Sequence, residues 1–533
     1  MTSSSARASR ERANRRSTGP EGIAPPLDGG TLGGGTGRLA GDEPLGDIGR
    51  QDEIERLARS RFGITYLYPI QRFVVSNVLE GNPQIVVLPT GAGKSLCFQL
   101  PSLMLSGPTL VLMPLLSLLS DQERKLQALG VPVGLLKGGL SREEKSRLWA
   151  GLRDGRIRLL LATPESCFVE ANLAALEHCD ICHIVVDEAH CVSEWGDTFR
   201  PAYLQLGSLI RRLGVRMVSA FTATASPEVI ERIRTHLFQD GEVRLVGENA
   251  DRPGITYSVQ PVLCLSRALF RLVQTAEPPL LVFCRTRSDA EVACRRARRS
   301  GTERRVFFYH AGLSREERAA VESWFLASRD GALFATCAYG MGVDKPDIRT
   351  VVHAHVPSSV EAYLQESGRA GRDGRASRAI LLLGRRAEEA HRTRLADVRA
   401  RERFDRILSY ALQSEECRRN SLLSLIGQGP VACTGCDVCD GSAGTPAEGE
   451  PQIMSFVARH RRRFVPSEAA EIISATPSPR SVRAFHNCIL GWGSLEGWKT
   501  QEVELAIRAL VSERRLRLHA RGPWKGRLTL PRG

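Results

Sequence analysis

Short apolar runs alternate with amphipathic stretches along most of this chain. From Asp52 the first periodic segment, DEIERLARSRFG, predicts a helix that stops at Gly63. The runs IVVLP (85–89), TLVLMP (109–114), RLLLATP (158–164), HIVVDEAH (183–190) and RMVSAFTATA (216–225) then follow. Each is apolar over a strand's length, as strands covered on both faces are. With helical stretches between them they predict a parallel sheet flanked by helices. The pattern restarts with LLVFC (280–284), RVFFYHAG (305–312), GALFATCA (331–338), TVVHAHVP (350–357) and RAILLLG (378–384), which predict a second such sheet. From Arg386 to Gly441 the chain turns helical, and GSAGTPAEGEP leads into a last segment. There IMSFVARHRRRF, PSEAAEIIS and TQEVELAIRALVSE predict three helices, and LRLHA and RLTLP around RGPWKG predict a hairpin. Three helices and a hairpin make a winged helix. The expectation is an α/β chain in five parts: a tail (1–48), two α/β domains (49–247 and 248–385), a helical module (386–443) and a winged helix (451–533).

Composition adds three constraints. The first 48 residues are rich in Ser, Gly, Pro and Arg with no apolar period, and are expected to be disordered. They hold no apolar core of the kind a secretory signal needs; an organellar transit peptide is the minor reading. No apolar run reaches the roughly eighteen residues of a membrane span. Formal net charge is +14, and from Pro451 onward fifteen Lys and Arg face six Glu and no Asp. Such a surplus suits a polyanionic partner, because neutralising phosphates releases counterions; a basic solvated surface is the bland alternative. Of fourteen cysteines, nine are scattered through the α/β region and four cluster between Cys417 and Cys439. That distribution points to a reducing compartment and one metal site rather than a disulfide framework.

The segment PTGAGKS (89–95) follows an expected strand and opens an expected helix. Gly91 and Gly93, with Thr90 and Ala92 beside them, let backbone N–H groups form a phosphate nest. Lys94 offers a point charge to the β- and γ-phosphates, and Ser95 a hydroxyl to Mg²⁺. The strict pattern asks for Gly where Leu88 stands, so the loop alone leaves a non-catalytic nucleotide pocket open. A strand ending in Asp187-Glu188 narrows the choice: one carboxylate suits Mg²⁺ and its neighbour the attacking water of phosphoryl transfer. An exposed acidic turn is the alternative reading of that pair. ATP and Mg²⁺ are the expected cofactors.

PTGAGKS, DEAH and the triad Thr222–Thr224 resemble superfamily 2 helicases. More narrowly, DEAHCVSEWGDTFRP (187–201) and RFGITYLYPIQ (61–71) resemble the RecQ family, a resemblance that runs from Asp52 to Pro531. It implies two RecA-like motor domains, with Gln71 reading adenine. The family usually carries an aromatic directly after the Gly and an Arg three residues before the Gln. Ile64 and Tyr68 stand there instead, so Tyr68 or Tyr66 is the expected substitute in stacking the base. Trp195 and Phe199 suit stacking on single-stranded bases and Arg200 suits a phosphate. Composition alone would pack both rings into the lobe interface; the resemblance implies a loop that senses DNA. ATCAYGMGVDKPDIRTVVH (335–353) and QESGRAGRDG (365–374) resemble helicase motifs V and VI. They imply Arg372 as an arginine finger, Arg369 in support and Gln365 facing the nucleotide. YHAGL (309–313) and VFCRTRSD (282–289) are implied contacts to the DNA backbone.

Cys417 is followed by CTGCDVC, which supplies Cys433, Cys436 and Cys439. Four thiolates give Zn²⁺ a closed, structural shell. An iron–sulfur cluster competes for the same spacing; the resemblance implies zinc. Cys488 lies outside this set and is expected in a core. ILGWGSLEGW resembles the hinge before the third helix of the RecQ C-terminal domain. Trp524 is then placed at the wing tip to meet a duplex end, with Arg521, Lys525 and Arg527 on phosphates; the alternative folds the indole back onto its own domain. The family's further helical domain has no room before Gly533. The resemblance implies an ATP-dependent DNA helicase of 3′-to-5′ polarity, serving repair, recombination or fork maintenance. Its expected partners are single-stranded DNA, duplexes and forks, with a single-strand-binding protein as a candidate and no membrane. Its compartment is the bacterial cytoplasm at the nucleoid or the eukaryotic nucleus, and the compact motor leans bacterial. An RNA helicase on the same motor and a DNA-binding scaffold with an inactive motor are the rivals.

Overall fold

The computed structural model describes residues 47–89, 92–114, 116–194, 201–239, 241–247, 250–299, 301–340, 345–476 and 485–531. Residues 1–46, most of the tail expected to be disordered, lie outside these. The first helix spans Asp47–Phe62 and ends at Gly63, whose φ of 67° is the left-handed geometry a helix terminus favours.

Among the described residues the first lobe holds seven strands: β1 (Gln84–Val87), β2 (Thr109–Leu112), β3 (Val133–Leu136), β4 (Leu159–Ala162), β5 (His183–Val186), β6 (Met217–Thr222) and β7 (Arg244–Gly247). They pair in parallel in the order β3-β4-β2-β5-β6-β1-β7. The apolar runs of the sequence are β1, β2, β4, β5 and β6, buried at every position. The order sets β5, β6 and β1 side by side, so the segments leaving their carboxyl ends share one edge of the sheet. Ligands of doubly wound folds sit at such an edge.

Among the described residues the second lobe has six strands: β8 (Ile255–Pro261), β9 (Leu280–Phe283), β10 (Val306–Tyr309), β11 (Ala332–Ala335), β12 (Thr350–His353) and β13 (Ser377–Leu383). These too are parallel, in the order β10-β11-β9-β12-β13-β8. β8 forms one edge of the sheet and alternates between buried and half-buried positions.

Three helices, Arg385–Arg394, Val398–Leu412 and Arg418–Leu425, follow β13 and lead into the cysteine loop. That loop is stitched to β8. Tyr257 N–H donates to the Gly435 carbonyl at 3.4 Å, and Asp437 N–H returns to the Tyr257 carbonyl at 3.1 Å. The Asp437 carboxylate accepts from Val259 N–H at 2.8 Å and from Arg418 Nε at 2.9 Å. The module also reaches the first lobe, where Arg406 pairs with Glu228 at 3.2 Å.

The last described segment packs three helices, Glu450–Arg459, Pro466–Ile473 and Thr500–Ser512, with an antiparallel hairpin, β14 (Arg517–Leu518) and β15 (Leu528–Thr529). Its core includes Ile453, Phe456, Ile472, Ile507 and Leu528, and Cys264 of the second lobe joins it. Arg267, also of that lobe, donates to the Gly497 carbonyl at 3.0 Å and lies 5.2 Å from the Trp498 ring. Cys488, expected in a core, is exposed: it closes a short 3₁₀ turn, His486–Cys488, whose inward side chain is His486.

Candidate active site

The helix Lys94–Ser102 begins where the phosphate loop leaves β1. Gly93 has φ 74°, and a Cβ there would sit 2.6 Å from Gln71 Nε2, so the position requires glycine. Thr90 and Gly91 lie outside the described residues. Gln71 is buried and spends both ends of its amide within the chain. Its Oε1 accepts from Tyr68 N–H at 3.0 Å, and its Nε2 donates to the Ala92 carbonyl at 2.8 Å. It therefore ties the helix Pro69–Leu79 to the phosphate loop. Tyr66 and Tyr68 are about three-fifths exposed and meet edge to face with ring centroids 5.6 Å apart. Ser95 Oγ accepts from Gln122 Nε2 at 3.3 Å.

Asp187 and Glu188 follow β5 directly. Asp187 N–H donates to the Leu112 carbonyl at 2.9 Å, fixing the turn to the sheet. Glu188 has φ 50°, a left-handed conformation that costs a non-glycine residue about 1–3 kcal/mol. His190 Nδ1 lies 3.3 Å from the Glu188 carboxylate and 3.2 Å from Thr222 Oγ1. Thr222 Oγ1 in turn donates to the Thr224 carbonyl at 2.9 Å. The carboxylate pair is thus wired to the end of β6. Burial, and then the Glu188 charge, push Asp187 up to about 7, with Lys94 opposing. Burial also works to raise Glu188, yet Lys94, His190, Arg369 and Arg372 together hold it below the ordinary carboxylate range. Two adjacent acids, Asp187 buried and Glu188 half-buried, within electrostatic reach of Lys94 fit a divalent cation carried by a polyphosphate.

Arg369 and Arg372 come from the second lobe, on the turn after the helix Val360–Ser367. Half-buried Gln365 lies on that helix's last turn. Arg369 is 4% exposed, and its Nε has no hydrogen-bond partner. Burial, and then Arg372, lower its pKa to about 10. A buried guanidinium with an unmet donor suits an incoming anion. The gap between the lobes is lined by Pro89 and Thr224 on one side and by Arg252, Leu364 and Gly368 on the other. Sequence reasoning gave no role to Arg252, or to His190 although it closes the quoted DEAH motif.

Trp195, Phe199 and Arg200 lie outside the described residues. At the hairpin tip Arg521, Trp524 and Lys525 are exposed. The Trp524 ring is 43% exposed and lies 4.9 Å from the Arg462 guanidinium. Arg527, expected on phosphates, is instead half-buried and donates to the Arg463 carbonyl. The chain reverses at the tip, and Arg527 stands past it, directly before the returning strand β15.

Cys417, Cys433, Cys436 and Cys439 bring their sulfurs within 4.8 Å of one another, with Cys417 and Cys436 at 3.9 Å. A tetrahedral ion with metal–sulfur bonds of about 2.3 Å places its ligands roughly 3.8 Å apart. The spacing fits a single ion; a cluster body between the thiolates would spread them further. Cys439 N–H donates to Cys436 Sγ at 3.4 Å, the kind of contact that steadies a thiolate ligand.

The chain matches the DEAD/DEAH box helicase model over residues 68–233, the helicase conserved C-terminal domain over 264–374 and the RecQ zinc-binding model over 383–440. It is similar to the probable ATP-dependent DNA helicase RecS of Bacillus subtilis, 39% identical over 60% of this chain and 65% of that one. It is also similar to the ATP-dependent DNA helicase RecQ of Bacillus subtilis, 31% identical over 81% of this chain and 74% of that one. The chain spans less than two thirds of the length of RecS and of several other curated relatives. Among solved structures, Mycobacterium smegmatis helicase Lhr bound to ssDNA and AMP-PNP aligns with a TM-score of 0.52 at 20% identity, over 89% of this chain and 60% of that one. That likeness is one of fold. With both helicase regions and the RecQ zinc-binding region in place, and a RecQ relative matched over 74% of its length, this chain belongs to the RecQ family of helicases.

Proposed function

We propose that this chain is an ATP-driven DNA helicase whose active site is completed across the two lobes. The observation that carries the reading is that Arg369 of the second lobe is buried with an unmet Nε donor, and that it and Arg372 lie within electrostatic reach of Glu188 of the first. ATP, when bound with Mg²⁺, supplies the phosphoanhydride whose hydrolysis drives the cycle. Gly93 and Lys94 would hold the phosphates, Ser95 and Asp187 the Mg²⁺, and the open Tyr66–Tyr68 pair would stack the base. Glu188, steadied by His190, aligns the attacking water and accepts its hydrogen bond. Arg372, with Arg369 behind it, brings positive charge from the opposite lobe, so the site is whole only when the lobes are closed. Closure and opening then become movement along a strand, 3′-to-5′ by family likeness. The segment holding Trp195, Phe199 and Arg200 is, by its sequence, the proposed DNA sensor. The four thiolates would hold Zn²⁺ as a structural ion. The C-terminal helices and hairpin, read as a winged helix, would meet the duplex.

Separating base pairs needs a rigid obstacle at the fork, since each step broken costs about 1.4 kcal/mol of stacking. Trp524 is exposed on a basic tip and backed by Arg462, as a stacking wedge should be. Wild-type protein is expected to displace a labelled strand from a forked duplex only when ATP is present. Trp524→Ala should lower displacement about tenfold or more while DNA-stimulated ATP turnover changes far less, because a lost base–aromatic stack costs about 1–3 kcal/mol. Equal displacement by the variant would leave strand separation to the lobes alone.

A further inference from the structure

We infer that Arg252 is a positioning residue for ATP hydrolysis: it fixes the turn that carries Arg369 and Arg372, and the cysteine module in turn fixes Arg252. The inference rests on the proposed reading of Arg372 as the group that completes the active site.

The turn Gly368–Arg372 leaves the end of a helix, where backbone carbonyls lack intrahelical partners. The Arg252 guanidinium supplies three. Nη1 donates to the Gly368 carbonyl at 3.0 Å, and Nη2 to the carbonyls of Ala370 and Gly371 at 3.3 and 3.4 Å. Those carbonyls immediately precede Arg369 and Arg372 and separate the two, so one planar fork tethers the backbone at both. The turn has little slack elsewhere. Gly371 has φ 55°, and a Cβ there would lie 2.6 Å from the Arg375 carbonyl.

A third guanidinium in this place is electrostatically awkward. Burial, and further down the Arg372 charge, lower the pKa of Arg252. Packing alone would be better served by an apolar side chain. What an apolar residue lacks is the set of donors in fixed geometry.

Arg252 is itself gripped on both sides by the cysteine module. Ala250 N–H donates to Gln428 Oε1 at 2.8 Å. Arg419 pairs with Asp251 and donates to the carbonyls of Arg252 and Ile255 at 3.0 and 2.6 Å. Thr434 Oγ1, next to the ligand position Cys433, donates to the Pro253 carbonyl at 2.6 Å. The path from the thiolate cluster to the arginine turn is therefore a continuous set of hydrogen bonds through one short segment between the lobes. A displacement of about 1 Å in a reacting group can cost on the order of 10²-fold in rate, so a turn cut loose from Arg252 should be catalytically poor even when every catalytic side chain is present.

The test uses the whole chain, with ATP turnover in saturating single-stranded DNA, binding of a fluorescent ATP analogue, and zinc content. Arg252→Ala should lower kcat by about 10²-fold while KM for ATP, analogue affinity and zinc content stay near wild type. Arg252→Lys keeps the charge without the fork and should recover only part of that loss. The double variant Arg252→Ala/Arg372→Ala should lose far less than the product of the two single losses, because Arg252 acts largely through Arg372. Wild-type kcat in Arg252→Ala, or losses that multiply in the double variant, would overturn the inference. If Arg252→Ala loses zinc or DNA binding, the comparison is made on Arg252→Lys, where unchanged kcat would likewise overturn it. Wild-type turnover in Arg372→Ala would bring down the finger assignment instead, so the two failures are told apart.

Discussion

Glu188→Gln is expected to abolish ATP turnover while leaving ATP binding intact. The substitution keeps the size and shape of the side chain at a position where φ is 50° and space is set by His190. It removes the negative charge that would align and polarise the attacking water, a group worth about 10²–10⁴-fold in such reactions. It also removes the charge of half-buried Glu188 that works against its buried neighbour Asp187, so the residues proposed to hold Mg²⁺ and phosphates are relieved rather than disturbed. Single-turnover hydrolysis and binding of a fluorescent ATP analogue check both halves. Turnover at the wild-type rate would mean that the water is aligned from elsewhere, and His190 would be the next residue to test.

Removal of the metal is expected to have an equally large effect, on structure first. The free energy of filling a four-thiolate site is folding free energy, on the order of 10 kcal/mol in small zinc domains. Here the cysteine loop also supplies the partners of Tyr257 and Val259 on β8, the edge strand of the second sheet. Elemental analysis should give one zinc per chain. A strong chelator, or Cys436→Ser at the most buried ligand, should melt the module in a separate transition and lower DNA-stimulated turnover with it. Iron in the purified protein, with visible absorbance, would contradict the single-ion reading.

How far the sequence anticipated these features depended on whether the cause was local. β1, β2, β4, β5 and β6 are covered on both faces and read as unbroken apolar runs. β3 has Gly134 within four residues, where a Cβ would sit 2.5 Å from Leu148, and its run is broken by that packing. β7 exposes three of its four residues, and β8 alternates because one face stays half-covered. All three escaped notice. The phosphate loop, the Asp187-Glu188 pair and the four cysteines were legible because their chemistry needs neighbours a few residues apart. Arg252 was not, since the carbonyls it holds lie 116 to 119 residues away. Gln71 was expected to face adenine, whereas its amide joins Tyr68 to Ala92. Arg527 was expected to face phosphate, and the hairpin turns it inward.

A closed, two-lobed ATP site of this kind should be driven by DNA. ATP turnover measured with single-stranded DNA, with RNA of the same length and with neither tests it most directly. Turnover should be slow for the protein alone, strongly stimulated by DNA and little by RNA, with the DNA effect falling as salt rises because phosphate contacts carry the binding. Equal stimulation by RNA would assign the motor to the wrong nucleic acid, and no turnover under any of the three conditions would leave a DNA-binding scaffold in place of an engine.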